Sequence, residues 1–134
     1  MAVLLVDVAN VVGARPDGWW RDRAGATSRL LQRLAVLDGR TVPGPDGAPL
    51  LCEAVVAVVE GRARDVPSVP PVRIVRAPGS GDDALAAEAV ALGVGERTVL
   101  AVTADRSLRA RLPPGVDVAG PGWLLARLDE VAAG

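Results

Sequence analysis

Hydrophobic and polar positions alternate along the chain in blocks rather than at random. Ala2–Val8 is an apolar run rich in Val and Leu, interrupted only by Asp7, the pattern of a strand buried on both faces. Gly13–Gly18 reads as a loop. Arg21–Leu37 then carries Leu30, Leu31, Leu34 and Leu37 at helical spacing, with Gly39 placed to stop the helix. Thr41–Pro49, with three prolines and two glycines, reads as loop. Leu51–Val59 is a second β-rich run, Arg62–Pro71 a proline-rich connection, and Val72–Arg76 a short third strand. Ser80–Leu92 predicts a helix: Ser80 and Asp83 form a capping box with Asp in place of Glu, and Gly93 follows. Thr98–Thr103 predicts a fourth strand, Arg106–Leu112 a short helix stopped by Pro113 and Pro114, and Val116–Ala119 a fifth strand. Pro121–Val131 predicts a closing helix with Pro121 in its first turn.

Strands that alternate with helices imply a three-layer α/β/α domain, with a mainly parallel five-stranded sheet covered on both faces. The 134 residues suit one domain spanning 1–134, without repeats. No apolar stretch approaches the roughly 18–20 residues needed to cross a bilayer. The short apolar start lacks a basic leader and a cleavage pattern, which predicts a cytoplasmic protein with no membrane partner.

Composition removes whole classes of chemistry. There is no His and no Lys among the 134 residues, and Cys52 is the only thiol. Ser–His–Asp and Cys–His catalysis, Cys/His zinc sites, a P-loop and an internal disulfide are therefore all excluded. Cys52 itself reads as a small buried residue. The abundance of Ala, Arg, Gly, Pro and Val fits GC-rich coding, so the missing Lys follows codon bias. A net charge of −1 gives no global pull toward nucleic acid or anionic membrane.

The carboxylates fall in a pattern. In an open α/β sheet, ligands bind beyond the carboxyl ends of the strands. Asp7 ends the first strand and Asn10, the only Asn, follows it. Asp82 and Asp83 open the helix after the third strand, and Thr103, Asp105 and Arg106 stand where the fourth strand passes into its helix. Each aspartate near a helix start has an alternative role as a cap or a dipole partner. Independent capping gives no reason for all of them to share one rim. Two carboxylates 4 Å apart repel by about 4 kcal/mol at an effective dielectric of 20, so such a cluster calls for a counter-charge. All-oxygen donors select Mg2+ or Mn2+.

Val-Asp-Val-Ala-Asn (Asp7, Asn10), Ser-Gly-Asp-Asp (Asp82, Asp83) and Thr-Ala-Asp-Arg (Thr103, Asp105), in this order, resemble the NYN branch of the PIN-like nuclease superfamily over essentially the whole chain. The resemblance implies a sheet of order 3-2-1-4-5 and metal-dependent hydrolysis of RNA. It implies that Asp7, Asp82, Asp83 and Asp105 ligate the metal directly or through water, that Asn10 orients a ligand or the phosphate, and that Thr103 supports the Asp105 turn. Two positions depart from the pattern: Val8 stands where Gly is frequent, and Arg109 where some relatives carry a further acid.

Substrate contacts follow from local charge. Residues 11–40 hold six Arg against three Asp, a net +3, whereas 77–105 hold five acids against Arg97, a net −4. An Arg-rich flank beside an acidic pit suits a phosphate chain held against a metal centre. Arg21 and Arg23, with Arg15 and Arg106, are the candidate phosphate contacts, and Trp19 and Trp20 a candidate base-stacking platform. Trp123 reads as core. A receiver domain is disfavoured because its acidic pair would end the first strand and it needs Lys. A haloacid-dehalogenase-type phosphatase is disfavoured because Ala9 stands where its second Asp belongs. A small-nucleotide phosphohydrolase and a non-catalytic RNA- or protein-binding module remain as alternatives. A second copy of the chain or an inhibitory protein is compatible as a partner.

Overall fold

All six residues of β1 (Ala2–Asp7) are buried, because the strand divides two cores. Leu4 and Val6 point into one cluster with Leu31, Leu34, Leu124 and Leu128; Val3 and Leu5 point into another with Leu85, Ala89 and Leu108. Each fully buried Val or Leu stabilises the fold by roughly 1.5–3 kcal/mol relative to exposure. This explains the apolar run Ala2–Val6: no position on the strand faces water. The computed structural model describes residues 1–95 and 97–133; Glu96, counted in the acidic segment above, lies outside them.

The remaining elements are α1 (Val8–Val12), α2 (Arg23–Leu37), β2 (Thr41–Pro43), β3 (Pro49–Val59), β4 (Arg73–Arg76), α3 (Gly81–Val94), β5 (Val99–Val102), α4 (Arg106–Arg111), β6 (Asp117–Ala119) and α5 (Pro121–Ala133). Helices α2 and α5 pack on one face of the sheet, α3 and α4 on the other. The pairings β4–β3, β3–β1, β1–β5 and β5–β6 are parallel, so the five expected strands stand in the order 3-2-1-4-5. Among the described residues no helix is long and apolar enough to cross a membrane.

The sheet is nevertheless mixed and six-stranded, which corrects the five-stranded, mainly parallel expectation. Thr41–Pro43, expected as loop, pairs antiparallel with Pro49–Leu51. The prolines that argued against a strand sit opposite each other at the turn end of this short hairpin, in a pair the ladder does not hydrogen-bond, where a missing N–H costs least. Gly47, at φ 85°, turns the chain, and Asp46 Oδ1 accepts from the Ala48 N–H at 3.0 Å.

Other boundaries move for local reasons. Val8 leaves the strand and starts α1, a helix of five residues, too short to leave a periodic trace beyond the buried pair Val8 and Val11. The expected helix start at Arg21 shifts to Arg23. Trp19–Arg21 form a 3-10 turn, and Asp22 caps α2 by accepting from the Gly25 N–H at 2.9 Å. Gly39 follows α2 at φ 75°. Gly93 does not stop α3, which runs to Val94; a helical glycine costs only about 1 kcal/mol. Cys52 is fully buried, as expected. Trp123 is half-buried against the first core, and its Nε1 donates to the Pro43 carbonyl at 3.2 Å.

Candidate functional site

Register assembles the site. β1 lies between β3 and β5, and the sheet switches winding direction at the β1–β5 step, where a crevice opens beyond the strand ends. Asp7 pairs with Val58 of β3, so Glu60 stands two residues past the end of that ladder. Val6 pairs with Val102 of β5, so Thr103 comes level with Asp7. Three adjacent strands therefore deliver Glu60, Asp7 and Thr103 to one edge.

Asp7 is 6% exposed. Its Oδ2 accepts from Asn10 Nδ2 at 2.6 Å and from the Thr103 hydroxyl at 2.8 Å. Burial raises its pKa above the ordinary 3.8, and the nearby Glu60 charge adds to this; the two side-chain hydrogen bonds oppose it. Thr103, fully buried, donates to Asp7 and accepts from the Asp105 N–H at 3.1 Å. Asp105 in turn caps α4, Oδ1 accepting from the Leu108 N–H at 3.1 Å. Its capping role and its place on the rim are thus compatible, because a carboxylate has a second oxygen.

Asp82 arrives from α3. The Ser80 hydroxyl caps this helix, accepting from the N–H groups of Asp82 and Asp83 at 3.2 and 3.5 Å. A second tie comes from Glu60, whose Oε2 accepts from the Gly81 N–H at 2.5 Å. Gly81 has no room for a side chain: a Cβ would lie 2.6 Å from that oxygen. With the helix so fixed, Asp82 has its pKa raised, first by burial and then by the charges of Asp105, Asp7 and Glu60. The structure thus brings Asp7, Asn10, Asp82, Thr103 and Asp105 together and adds Glu60.

Asp83 is placed differently from its neighbour. Its Oδ1 accepts from Arg111 Nη2 at 2.7 Å in a largely exposed pair. Sequence reasoning missed Glu60, although it follows directly on the apolar run Val55–Val59 as Asp7 follows Val6, a signal that was available.

The donor set is all oxygen. Among the described residues no three such groups stand close enough to enclose a cation by themselves. This arrangement fits a hydrated Mg2+ or Mn2+ in kind, since Mg2+ keeps several waters and takes only one or two carboxylates.

The basic flank is partly engaged. Arg15, a candidate phosphate contact, donates to Asp129 at 2.7 Å, as does Arg33, in exposed ion pairs. These guanidiniums lower the Asp129 pKa to about 2. Arg23 lies 5.2 Å from the Trp19 ring centroid and Arg21 5.9 Å from that of Trp20. The two indoles meet edge to face, 5.9 Å apart at 86°, so they form no continuous stacking platform; Trp20 is 53% exposed. Arg106 is exposed at the start of α4, beside Asp105. Arg109, noted above in place of an acid, donates to the Thr103 carbonyl at 3.0 Å.

No protein-family model matches the chain, and no curated protein matches it in sequence. Solved structures do share its fold. The crystal structure of Rae1 (YacP) from Bacillus subtilis superposes with a TM-score of 0.75 at 18% identity, covering 99% of this chain and 76% of that one. A single-substitution variant of the same protein gives 0.70 at 20% identity, covering 99% and 78%. At these identities the likeness is one of fold.

Proposed function

We propose that this chain is a divalent-metal-dependent ribonuclease of the NYN, PIN-like type. The observation that carries the reading is the gathering of Asp7, Asp82 and Asp105 at the switch point of the sheet, two of them with raised pKa values and, among the described residues, no basic side chain in an ion pair with any of the three. Without a cation the arrangement is electrostatically unfavourable, and a protein tolerates such a cost chiefly where a ligand relieves it.

Asp7, Asp82 and Asp105 would hold Mg2+ or Mn2+, with Glu60 behind them. Such an ion, when bound, lowers the pKa of a coordinated water and neutralises charge on a phosphodiester. The chain's own groups keep the carboxylates in place. Asn10 and Thr103 fix the Asp7 carboxylate, the Leu108 N–H fixes that of Asp105, and Glu60 fixes the helix that carries Asp82. Arg23 and Arg106, with Arg21, supply guanidiniums for the phosphates that flank the cleaved bond.

The test is RNA degradation with Mg2+ or Mn2+, run on single-stranded RNA, structured RNA and mononucleotides. Wild-type protein cleaves the polymer, and Asp7→Asn loses at least 100-fold in rate. Undiminished cleavage by Asp7→Asn overturns the assignment.

A further inference from the structure

Beside the acidic rim lies a cleft of about 300 Å3, at the small end of the range for small-molecule sites. Four separate parts of the chain line it: Val8 and Val12 of α1, Trp19 and Arg23 at the approach to α2, Glu60 after β3, and Gly79 before α3. The chemistry of these groups is mixed in a specific way. The two valines are apolar. Trp19 offers an aromatic ring braced edge-on by Trp20 and covered by the Arg23 guanidinium. Glu60 keeps one oxygen on the Gly81 N–H and can accept a ligand N–H with the other. Gly79 lines the cleft as well, and a Cβ there would stand in open space with nothing within 4 Å.

A flat, largely apolar ring edged with N–H donors and joined to a phosphate matches this set. We infer that the cleft takes one unpaired nucleobase of the RNA, packed against Trp19, with a base N–H donating to Glu60 and Arg23 facing the adjoining phosphate. This rests on the ribonuclease reading and narrows its substrate to RNA with an unstacked nucleotide at the cut. Continuity with the rim sets the occupant. Glu60 belongs both to the cleft and to the contact that seats Asp82, and Ala9, which also lines the cleft, stands between Asp7 and Asn10. A nucleotide based here therefore has its own phosphate at the acidic edge. A base within a duplex cannot enter, whereas stacking on an aromatic side chain is open to any free base.

The experiment is calorimetric titration without divalent metal, with guanosine 5′-monophosphate and, as reference, ribose 5-phosphate. Wild-type and Asp7→Asn proteins bind the nucleotide at least tenfold more tightly than the sugar phosphate. Ala9→Leu and Gly79→Leu, which narrow the cleft from an exposed helix position and from open space, each lose at least tenfold in nucleotide affinity while melting cooperatively. Equal binding of the two probes, or unchanged nucleotide binding in both narrowed variants, overturns the inference. Nucleotide binding as described, with RNA left intact in the presence of Mg2+ and Mn2+, instead refutes the ribonuclease reading and leaves the cleft standing.

Discussion

The Thr103 hydroxyl donates to Asp7 Oδ2 at 2.8 Å, across 96 residues of chain and out of contact with solvent. Thr103 Oγ1 also accepts from the Asp105 N–H, so one small side chain ties the ends of two parallel strands to the turn that starts α4. Thr103→Val keeps the shape and removes the hydroxyl, leaving the Asp7 carboxylate short of a donor and the Asp105 N–H without its acceptor. A loss of about 1–3 kcal/mol is expected in urea unfolding, and Thr103→Ser restores most of it. An unchanged midpoint in Thr103→Val would show that the link carries no weight.

Adjacent residues Asp82 and Asp83 differ sharply in their surroundings. Asp82 faces Asp7, Asp105 and Glu60, whereas Asp83 pairs with exposed Arg111. Asp82→Asn relieves repulsion, so it raises the melting temperature of the metal-free protein while lowering divalent affinity and RNA cleavage at least tenfold. Asp83→Asn removes only a surface pair and changes stability by roughly 0–1 kcal/mol, with cleavage within threefold of wild type. Equal effects of the two substitutions would contradict this division.

Acid titration follows with a definite sign. Asp7 and Asp82 have native pKa values above the ordinary 3.8, so the native state binds more protons than the unfolded chain between those limits. Their contribution to stability therefore falls as pH rises from the ordinary carboxylate value through the raised native ones. Asp129, lowered to about 2, acts oppositely: its contribution is present above 3.8 and is lost as pH falls toward 2, but it is exposed and well screened. In metal-free protein the Asp7→Asn/Asp82→Asn double variant gains stability over wild type at pH 7, and the gain shrinks as pH drops toward 4. A gain that does not depend on pH would show that the two carboxylates are not the cause.

Gly81 gives a steric test of how α3 is seated. In Gly81→Ala the new Cβ meets the Glu60 carboxylate, which must swing away and release the N–H it accepts from. A stability loss of about 1–3 kcal/mol is expected, with a matching loss of divalent affinity as Asp82 shifts. Unaltered divalent binding in a destabilised Gly81→Ala would separate the seating of the helix from the site.

How far the sequence disclosed this arrangement depends on which residues carry it. Asp7 was legible because a carboxylate that ends an otherwise apolar strand is costly unless it is bonded or bound; the alternation of strands and helices implied the covered sheet, and the strand order came only from the family resemblance. Glu60 was not picked out, since its role arises from the register of β3 against β1 and from a contact 21 positions ahead. Asp82 and Asp83 could not be told apart, because successive helix residues point about 100° from each other and only packing decides which faces inward. Arg15 looked free because its partner, Asp129, lies 114 positions away on the last helix. The β2 hairpin was hidden by its own prolines, which signal loop and yet sit where the ladder needs no donor.

The central claim is that these carboxylates form one cation site, and a Mn2+ titration followed by thermal melting tests it most directly. At 100 times its dissociation constant, a cation that binds only the native state stabilises by about 2.7 kcal/mol. Wild-type protein should show a saturable rise of that order, which Asp7→Asn and Asp82→Asn both lose and Asp83→Asn keeps. No rise in the wild type, or the same rise in all four proteins, would contradict the account.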